Sequence, residues 1–585
     1  MTAVIPLCAG PLRLDYDSGD LRAIRLGGLE IVRRIYVVFQ DRNWTARPWI
    51  IEDEIIESRG DGFAIALHAR GTFDASAFTW SAEITGAPDG TIRYAIDGAT
   101  TDPFLRNRLG LCVLHPMDGF AGRACTITAP DGSVTSSAFP DEISPHQPFR
   151  DIRAMEYPAT PGSLVRVEFD GEIFETEDHR NWSDASYKTY CTPISLPFPA
   201  QVRPGDEIGQ SVTITVSGEM PAPVDPPDVV TVTVSADQVA LPAIGTQATD
   251  LPWSDTEIAA VRALHLDHLM VSVTGDANPT ETLRLAVDVA QATGTRLRVR
   301  LADVEDYASL REAVSAVAPF ADSWMVVRSD EKVTSVASLE AAQDALGRQL
   351  PWSAGTDRYF TEINRQPPDT YGATWLSFAL NPQVHAADDR SILQSTASQE
   401  VIARNAPRVA NAARIAVGPV SLRPRYNPNA TDPAADPSNT ALPSSVDARQ
   451  RTWLGAAWTA LSLRGLAQAG TIDSVTYFEA LGWRGLRERD TGSVDPAAFP
   501  SQPGEEFPVY ALLRDLVGYD LLHPSRSDQP EVADALVVNG APGPRAFVAN
   551  LSAQAQTILL EGAISATIEA DPMSLSVIDL PGRTA

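Results

Sequence analysis

The alternation of strand-like and helix-like runs from residue 239 to 518 constrains this chain more than any other feature. Short apolar, β-branched runs bounded by turn signals alternate with longer segments of helical apolar period. The predicted strands are Val239–Ile244, His268–Val273, Arg296–Leu301, Ser323–Val327, Leu350–Ala354, Trp375–Leu380, Arg414–Val420 and Ser474–Ala480. The predicted helices are Asp255–Leu264, Thr280–Thr293, Tyr307–Ala318, Ser335–Leu346, Thr396–Asn411, Val446–Leu463 and a closing Phe507–Val517. Such a run of βα units predicts a central (β/α)8 TIM barrel, whose active site lies at the carboxyl ends of the strands. The pattern is weakest after the fifth strand, where GTDRYFTEINR (Gly355–Arg365) replaces an obvious helix.

The flanks read differently. At 585 residues the chain is too long for one core. Residues 1–225 alternate as strands: Leu12–Tyr16 and Leu21–Leu26 make a hairpin, followed by runs such as Ile31–Phe39, Ala77–Ile84, Leu109–Leu114 and Leu164–Phe169. Asp-Gly pairs at Asp89-Gly90, Asp131-Gly132 and Asp170-Gly171 supply turns, and the whole predicts an N-terminal β-sandwich. Pro221–Pro227, PAPVDPP, fits neither helix nor central strand and is expected to link it to a barrel domain over 226–518. Strand character returns at Ala533–Val538, Arg545–Ala549 and Ser574–Leu580, predicting a small C-terminal β-domain over 519–585.

Composition narrows the partners. Lys plus Arg number 46 against 75 Asp plus Glu, a net charge of −29 that disfavours nucleic acid and anionic membranes. No apolar run is long enough to span a membrane, and the N-terminus lacks a basic segment followed by a long apolar one, so a cytoplasmic location is expected. Cys8, Cys112, Cys125 and Cys191 form no CxxC spacing and read as buried thiols. The histidines are scattered without HxH or HExxH, and phosphate-binding loops and GxSxG are absent, so neither metal nor cofactor is expected. The sequence leaves open whether the chain self-associates as a homo-oligomer.

Polar residues gather at the predicted strand ends: Asp303, then Arg328 and Asp330, Asp357 with Glu362 beyond, Asn381 and His385, Arg423 and Arg425, and Glu479. Glu479 closes an otherwise apolar strand, where an unpaired buried carboxylate is costly unless it is placed for work. Glu362 and Glu479, three strands apart, are the candidate catalytic pair, one as acid or base and the other as nucleophile or second base. For Glu362 the alternative is a solvated loop carboxylate. Asp357, Asn381, His385 and Arg423 are candidate substrate ligands, His385 because its proton exchanges near neutrality and the arginines because they fork onto oxyanions. Trp352, Tyr477 and Trp483 offer aromatic faces, although tryptophans also serve ordinary cores. The Pro-, Asn- and Asp-rich loop Arg423–Ser445 reads as a substrate-covering loop.

Phe174–Tyr190, FETEDHRNWSDASYKTY, is unusually dense in charges and aromatics for a surface loop. It reads either as a salt-bridged structural segment or as one that lends Asn181, Trp182 and Asp184 to the ligand. That stretch, with Arg106–Pro116 (RNRLGLCVLHP) and GTDRYFTEINR, resembles the D-apionate lactonase family. The resemblance implies a β-domain, a glycosidase-like barrel, a second β-domain and hydrolysis of the lactone of a branched sugar acid. It assigns no catalytic residue. The expected activity is a hydrolase opening a sugar-acid lactone such as D-apionolactone. The alternatives are a glycoside hydrolase using Glu362 and Glu479, and a non-catalytic carbohydrate-binding protein.

Overall fold

The computed structural model describes residues 4–581 apart from 74–75, 225–226, 250, 276–277, 370–371, 412 and 431–441. Part of the predicted linker and the middle of the loop Arg423–Ser445 therefore lie outside the described residues. The chain divides into two units, one built on residues 1–180, 185–226 and 427–437, the other on 181–184, 227–426 and 438–585.

The first unit is a β-sandwich. One sheet runs Ile5–Ala9, Leu12–Asp17, Asp20–Leu26, Leu29–Asp41, Phe104–Pro116, Ser186–Tyr190, Phe174–Asp178, Phe149–Ile152. The other runs from Val134–Ala138 through Ser163–Asp170 and Ile208–Gly218 to Ile50–Arg59 at its far edge. Side chains alternate across each strand, so Leu12, Leu14 and Tyr16 on one sheet and Phe78, Trp80, Ala82 and Ile84 on the other share a single core. Three of the four cysteines are buried; Cys8 is partly exposed, contrary to expectation, because on strand Ile5–Ala9 the inward positions fall to Leu7 and Ala9 and Cys8 lies on the opposite face.

The second unit contains the closed parallel barrel. Its strands are β1 Ala243–Ala248, β2 His268–Thr274, β3 Arg296–Ala302, β4 Ala321–Val327, β5 Trp352–Gly355, β6 Trp375–Leu380, β7 Arg414–Val420 and β8 Ser474–Leu481. Each pairs with the next, and Ala243 opposite Ser474 joins β1 to β8. The predicted first strand, Val239–Ile244, is misplaced: Val239–Ala240 pairs instead with Tyr519–His523, and β1 begins after Pro242, which lacks the N–H for a ladder bond. The segment after β5 does hold a helix, Phe360–Arg365, only six residues long and followed by Pro367-Pro368. Outer helices present apolar faces at helical spacing, as Leu283, Ala286, Val289 and Ala290 do on Pro279–Thr293, capped by Asn278 and ended by Gly294 at φ 77°.

The barrel interior is partly polar. Arg298 on β3 donates to Ser474 Oγ on β8 at 2.6 Å and stacks over the Trp375 ring at 4.1 Å, while His268 Nε2 lies 2.8 Å from Thr476 Oγ1. Two further sheets complete this unit. Val229–Val234, which precedes the barrel, lies between Ser525–Ser527 and Gln556–Gly562, and Ala566–Ala570 closes that sheet. The other runs Val239–Ala240, Tyr519–His523, Ala533–Gly540, Arg545–Asn550, Ser574–Asp579. Val230, Val232, Val548, Ile558 and Leu560 share one core between them.

Candidate active site

All barrel strands run the same way, so the residues that follow them share one end, where the sequence placed Asp303, Asp330, Asp357, Glu362, Asn381, His385, Arg423 and Glu479. Their environments differ sharply.

Glu479 owes its direction to a break in alternation. The hydroxyls of Ser474 and Thr476 meet interior partners, while Tyr477 bonds Ser462 on the outer helix Trp453–Gln468 at 2.9 Å. Phe478 then adopts φ 51° and packs toward Trp458 on the same helix, so two successive side chains face outward. This bulge returns Glu479 to the inner side, where Oε1 accepts from Arg484 Nε at 2.7 Å and Oε2 from Thr249 Oγ1 at 3.2 Å. Glu479 is 7% exposed. Tyr477 is thus a core residue rather than a ligand: it is fully buried, and burial raises its phenol further above the ordinary range.

The end of β5 is shaped by Gly355 at φ 136°, a conformation closed to other residues. Beyond it, the Asp357 carboxylate accepts from Tyr426 OH at 2.7 Å and from Arg425 Nη2 at 3.2 Å. Burial works against its ionisation, but Arg300 and Arg425 outweigh that and hold the carboxyl below its usual range. Tyr359 and the helix Phe360–Arg365 follow, anchored where the Phe360 ring meets Phe378 of β6 at 5.4 Å. Glu362 on this helix is 4% exposed, and burial pushes its carboxyl up, only partly offset by Lys332, Arg358 and Arg365. The solvated-loop reading of Glu362 fails on that burial.

Residues Asn181–Asp184 belong to the barrel's unit rather than to the sandwich. Asn181 Oδ1 accepts from Asn364 Nδ2 at 2.9 Å, and Asp184 Oδ2 lies 2.7 Å from His385 Nδ1. The Trp182 ring meets Tyr359 edge-on at 5.4 Å and His385 at 5.9 Å, with the Arg365 guanidinium 5.5 Å from its centroid. The flanking charges of the same stretch are spent inside the sandwich. Arg180 forks onto Asp178 at 2.7 and 2.8 Å and onto main-chain carbonyls of Pro140 and Asp141, and Tyr190 OH donates to Glu175 at 2.5 Å. Within this stretch Asp178, Arg180 and Glu175 are thus structural in the sandwich, while Asn181, Trp182 and Asp184 pack on Asn364, Tyr359 and His385 of the barrel's unit.

After β6, Asn381 is buried and its Oδ1 caps Gln383 N at 3.1 Å. Arg423 reaches Asp447 Oδ2 at 3.3 Å, and Arg449 holds the same carboxylate at 2.7 Å. Trp483 is turned to its own loop, donating to Ser493 Oγ at 2.8 Å and stacking on Phe499. Trp352, at the start of β5, is buried with its indole N–H on Gly347 O, far along the strand from the site end.

Sequence reasoning missed Thr249, Arg484 and Arg300. The first two stand in loops with no periodic signal. Arg300 had one: in RLRVRLA, Arg296, Arg298 and Arg300 alternate with apolar residues, and on a barrel strand the second set covers the helices while the first turns inward. The acidic groups here are matched by arginines: Glu479 by Arg484, Asp357 by Arg425, Asp447 by Arg449. For Asp357 and Asp447 the arginines hold the carboxyl below its usual range, whereas burial pushes that of Glu362 up.

A closed (β/α)8 barrel that carries a buried carboxyl, Glu362, and an ion-paired one, Glu479, beyond its strand ends has the make-up of a barrel hydrolase. Family models for the D-apionate lactonase N-terminal domain and the D-apionate lactonase TIM barrel domain match residues 2–219 and 243–520. The chain belongs to the D-apionate lactonase family. It is 28% identical over 538 residues to the D-apionate lactonase of Brucella anthropi, covering 88% of this chain and 87% of that one. Among solved structures, a GH51 arabinofuranosidase from Xanthomonas axonopodis pv. citri aligns with TM-score 0.42 at 10% identity, over 60% of this chain and 98% of that one. A GH30 endoxylanase from Clostridium papyrosolvens aligns with TM-score 0.38 at 9% identity, over 60% and 95%.

Proposed function

We propose that this hydrolase opens the lactone of a branched sugar acid, D-apionolactone or a close relative, with Glu362 as the proton-transferring group. The observation that carries this is the burial of Glu362 beyond the end of β5, which pushes its carboxyl up and so makes its carboxylate a stronger base. The Glu362 carboxylate takes a proton from water as the water oxygen attacks the planar lactone carbonyl. Asn381, His385 or Arg423 supplies the donor for the developing oxyanion. As the ring C–O bond breaks, Glu362 returns the proton to the leaving ring oxygen, and the new acid ionises in solution. Glu479, fixed by Arg484 and Thr249, lends a stationary negative charge that orients water or substrate hydroxyls.

One observation favours a second reading, a glycoside hydrolase. A carboxyl pushed up by burial, Glu362, beside an ion-paired one, Glu479, is the kind of acid/base and nucleophile pair that a retaining glycosidase needs. A panel of aldonolactones and aryl glycosides, run on the wild type and on Glu362→Gln and Glu479→Gln, separates the two. The lactonase reading expects lactone turnover, a loss on the order of 10²–10⁴ in rate for Glu362→Gln, and no azide rescue of either alanine variant. Aryl glycoside turnover with azide rescue of Glu479→Ala overturns it in favour of the glycosidase. Retained lactone hydrolysis in the double Gln variant refutes both assignments of the glutamates.

A further inference from the structure

Arg300 shares its counter-charge, Asp357, with Arg425. It sits on β3 with 5% exposure, and its Nε and Nη2 donate to Ser272 Oγ on β2 at 3.2 and 2.8 Å. Its Nη1 is buried and has no hydrogen-bond partner, and Arg300 enters no ion pair among the described residues. Leaving a charged donor unmet in the interior is among the more costly arrangements a protein adopts. The charges that act on it are Asp357, Arg425 and Tyr426, all from the site end of the barrel. Arg425 and Tyr426 already occupy the Asp357 carboxylate. One anion thus serves two guanidinium groups, and the cluster keeps an excess of one positive charge in a chain of net charge −29.

We propose that Arg300, seconded by Arg425, forms a carboxylate subsite that binds a small hydroxycarboxylate anion, the ring-opened acid in the reaction proposed above. A carboxylate accepts two N–H bonds in the plane of a guanidinium, so it satisfies Nη1 and balances the spare charge together. The neutral lactone lacks that charge. The subsite therefore distinguishes product from substrate: it draws the acid away from the reacting position as it forms, and it makes the acid an inhibitor of further turnover.

This inference rests on the lactonase reading for the identity of the anion but not for its existence, and the test keeps the two apart. Sodium D-apionate and its uncharged amide are titrated calorimetrically into the full-length wild type, Arg300→Gln and Arg300→Lys, with lactone turnover followed in parallel. The wild type is expected to favour the acid over the amide by on the order of 10- to 100-fold, the worth of one charge-assisted hydrogen bond. Arg300→Gln abolishes the preference, and Arg300→Lys, which keeps the charge without the fork, retains part of it. Should Arg300→Gln fail to fold, Arg425→Gln takes its place and is expected to reduce the same preference. Equal affinity for acid and amide in the wild type, or an unchanged preference in the folded variants, overturns the subsite, whatever the turnover. A preference that depends on Arg300 in a protein that opens no lactone upholds the subsite and removes the lactonase reading.

Discussion

Replacing Arg484 by Met tests how Glu479 is held. The contact is asymmetric: the Glu479 side chain is 9% exposed and Arg484 38%, at 2.7 Å. A fully exposed pair contributes about 0–1 kcal/mol, whereas breaking a fully buried one costs about 3–5 kcal/mol. A charged hydrogen bond with one buried partner falls between, so Arg484→Met is expected to lose about 2 kcal/mol in urea unfolding. Thr249 Oγ1 still meets Oε2, which keeps the loss below the buried limit. Because the bond also aims the carboxylate, a comparable loss in the transition state lowers kcat/KM by roughly 30-fold. The cycle through Glu479→Gln and the double variant isolates the pair, with an expected coupling of about 1–2 kcal/mol. Full stability and full activity in Arg484→Met, beside an inactive Glu479→Gln, would show that the guanidinium does not hold the carboxylate, and the reasoning would fall.

Glu362→Gln carries a pH signature in stability. The folded carboxyl is raised, so Glu362 contributes fully below its unfolded value of about 4.5 and loses that contribution as pH rises through the folded value. The variant should therefore gain stability over wild type at pH 8 and show little difference at pH 4; an equal difference at both, by thermal unfolding, refutes the burial argument. Gly355→Ala would set a Cβ 2.0 Å from Ser377 O at φ 136°, a strain of at least about 3 kcal/mol. Early urea unfolding together with lost turnover is expected, and a wild-type unfolding midpoint would contradict the geometry at the end of β5.

The barrel was legible because strand and helix periods differ enough to be told apart along a single chain, and seven of its strands fall where alternation put them. The first did not. AIGTQA offers little β-branched surface, and the stronger run just before Pro242 belongs to another sheet. The polar residues predicted at strand ends do share one end of the barrel, since that rule needs only strand direction. Side-chain orientation was harder to read: the positive φ of Phe478 puts Tyr477 and Phe478 on the same side, and no periodic pattern announces a bulge. Partnerships such as Thr249 with Glu479, or Asp184 with His385, join residues about 200 or more apart and follow from the closed fold rather than from any local run.

The strand Val229–Val234 imposes an order on biosynthesis. It leaves the ribosome before any barrel strand, yet its parallel neighbour Gln556–Gly562 follows the last of them. More than 300 residues must be translated in between, which at roughly 5–20 residues per second takes on the order of a quarter to a full minute. For most of that interval, until Ser525–Ser527 is made, a β-branched segment, VVTVTV, has neither of its sheet neighbours available. The nascent chain must keep it from pairing with other edges until Gln556–Gly562 has emerged to close the sheet around it.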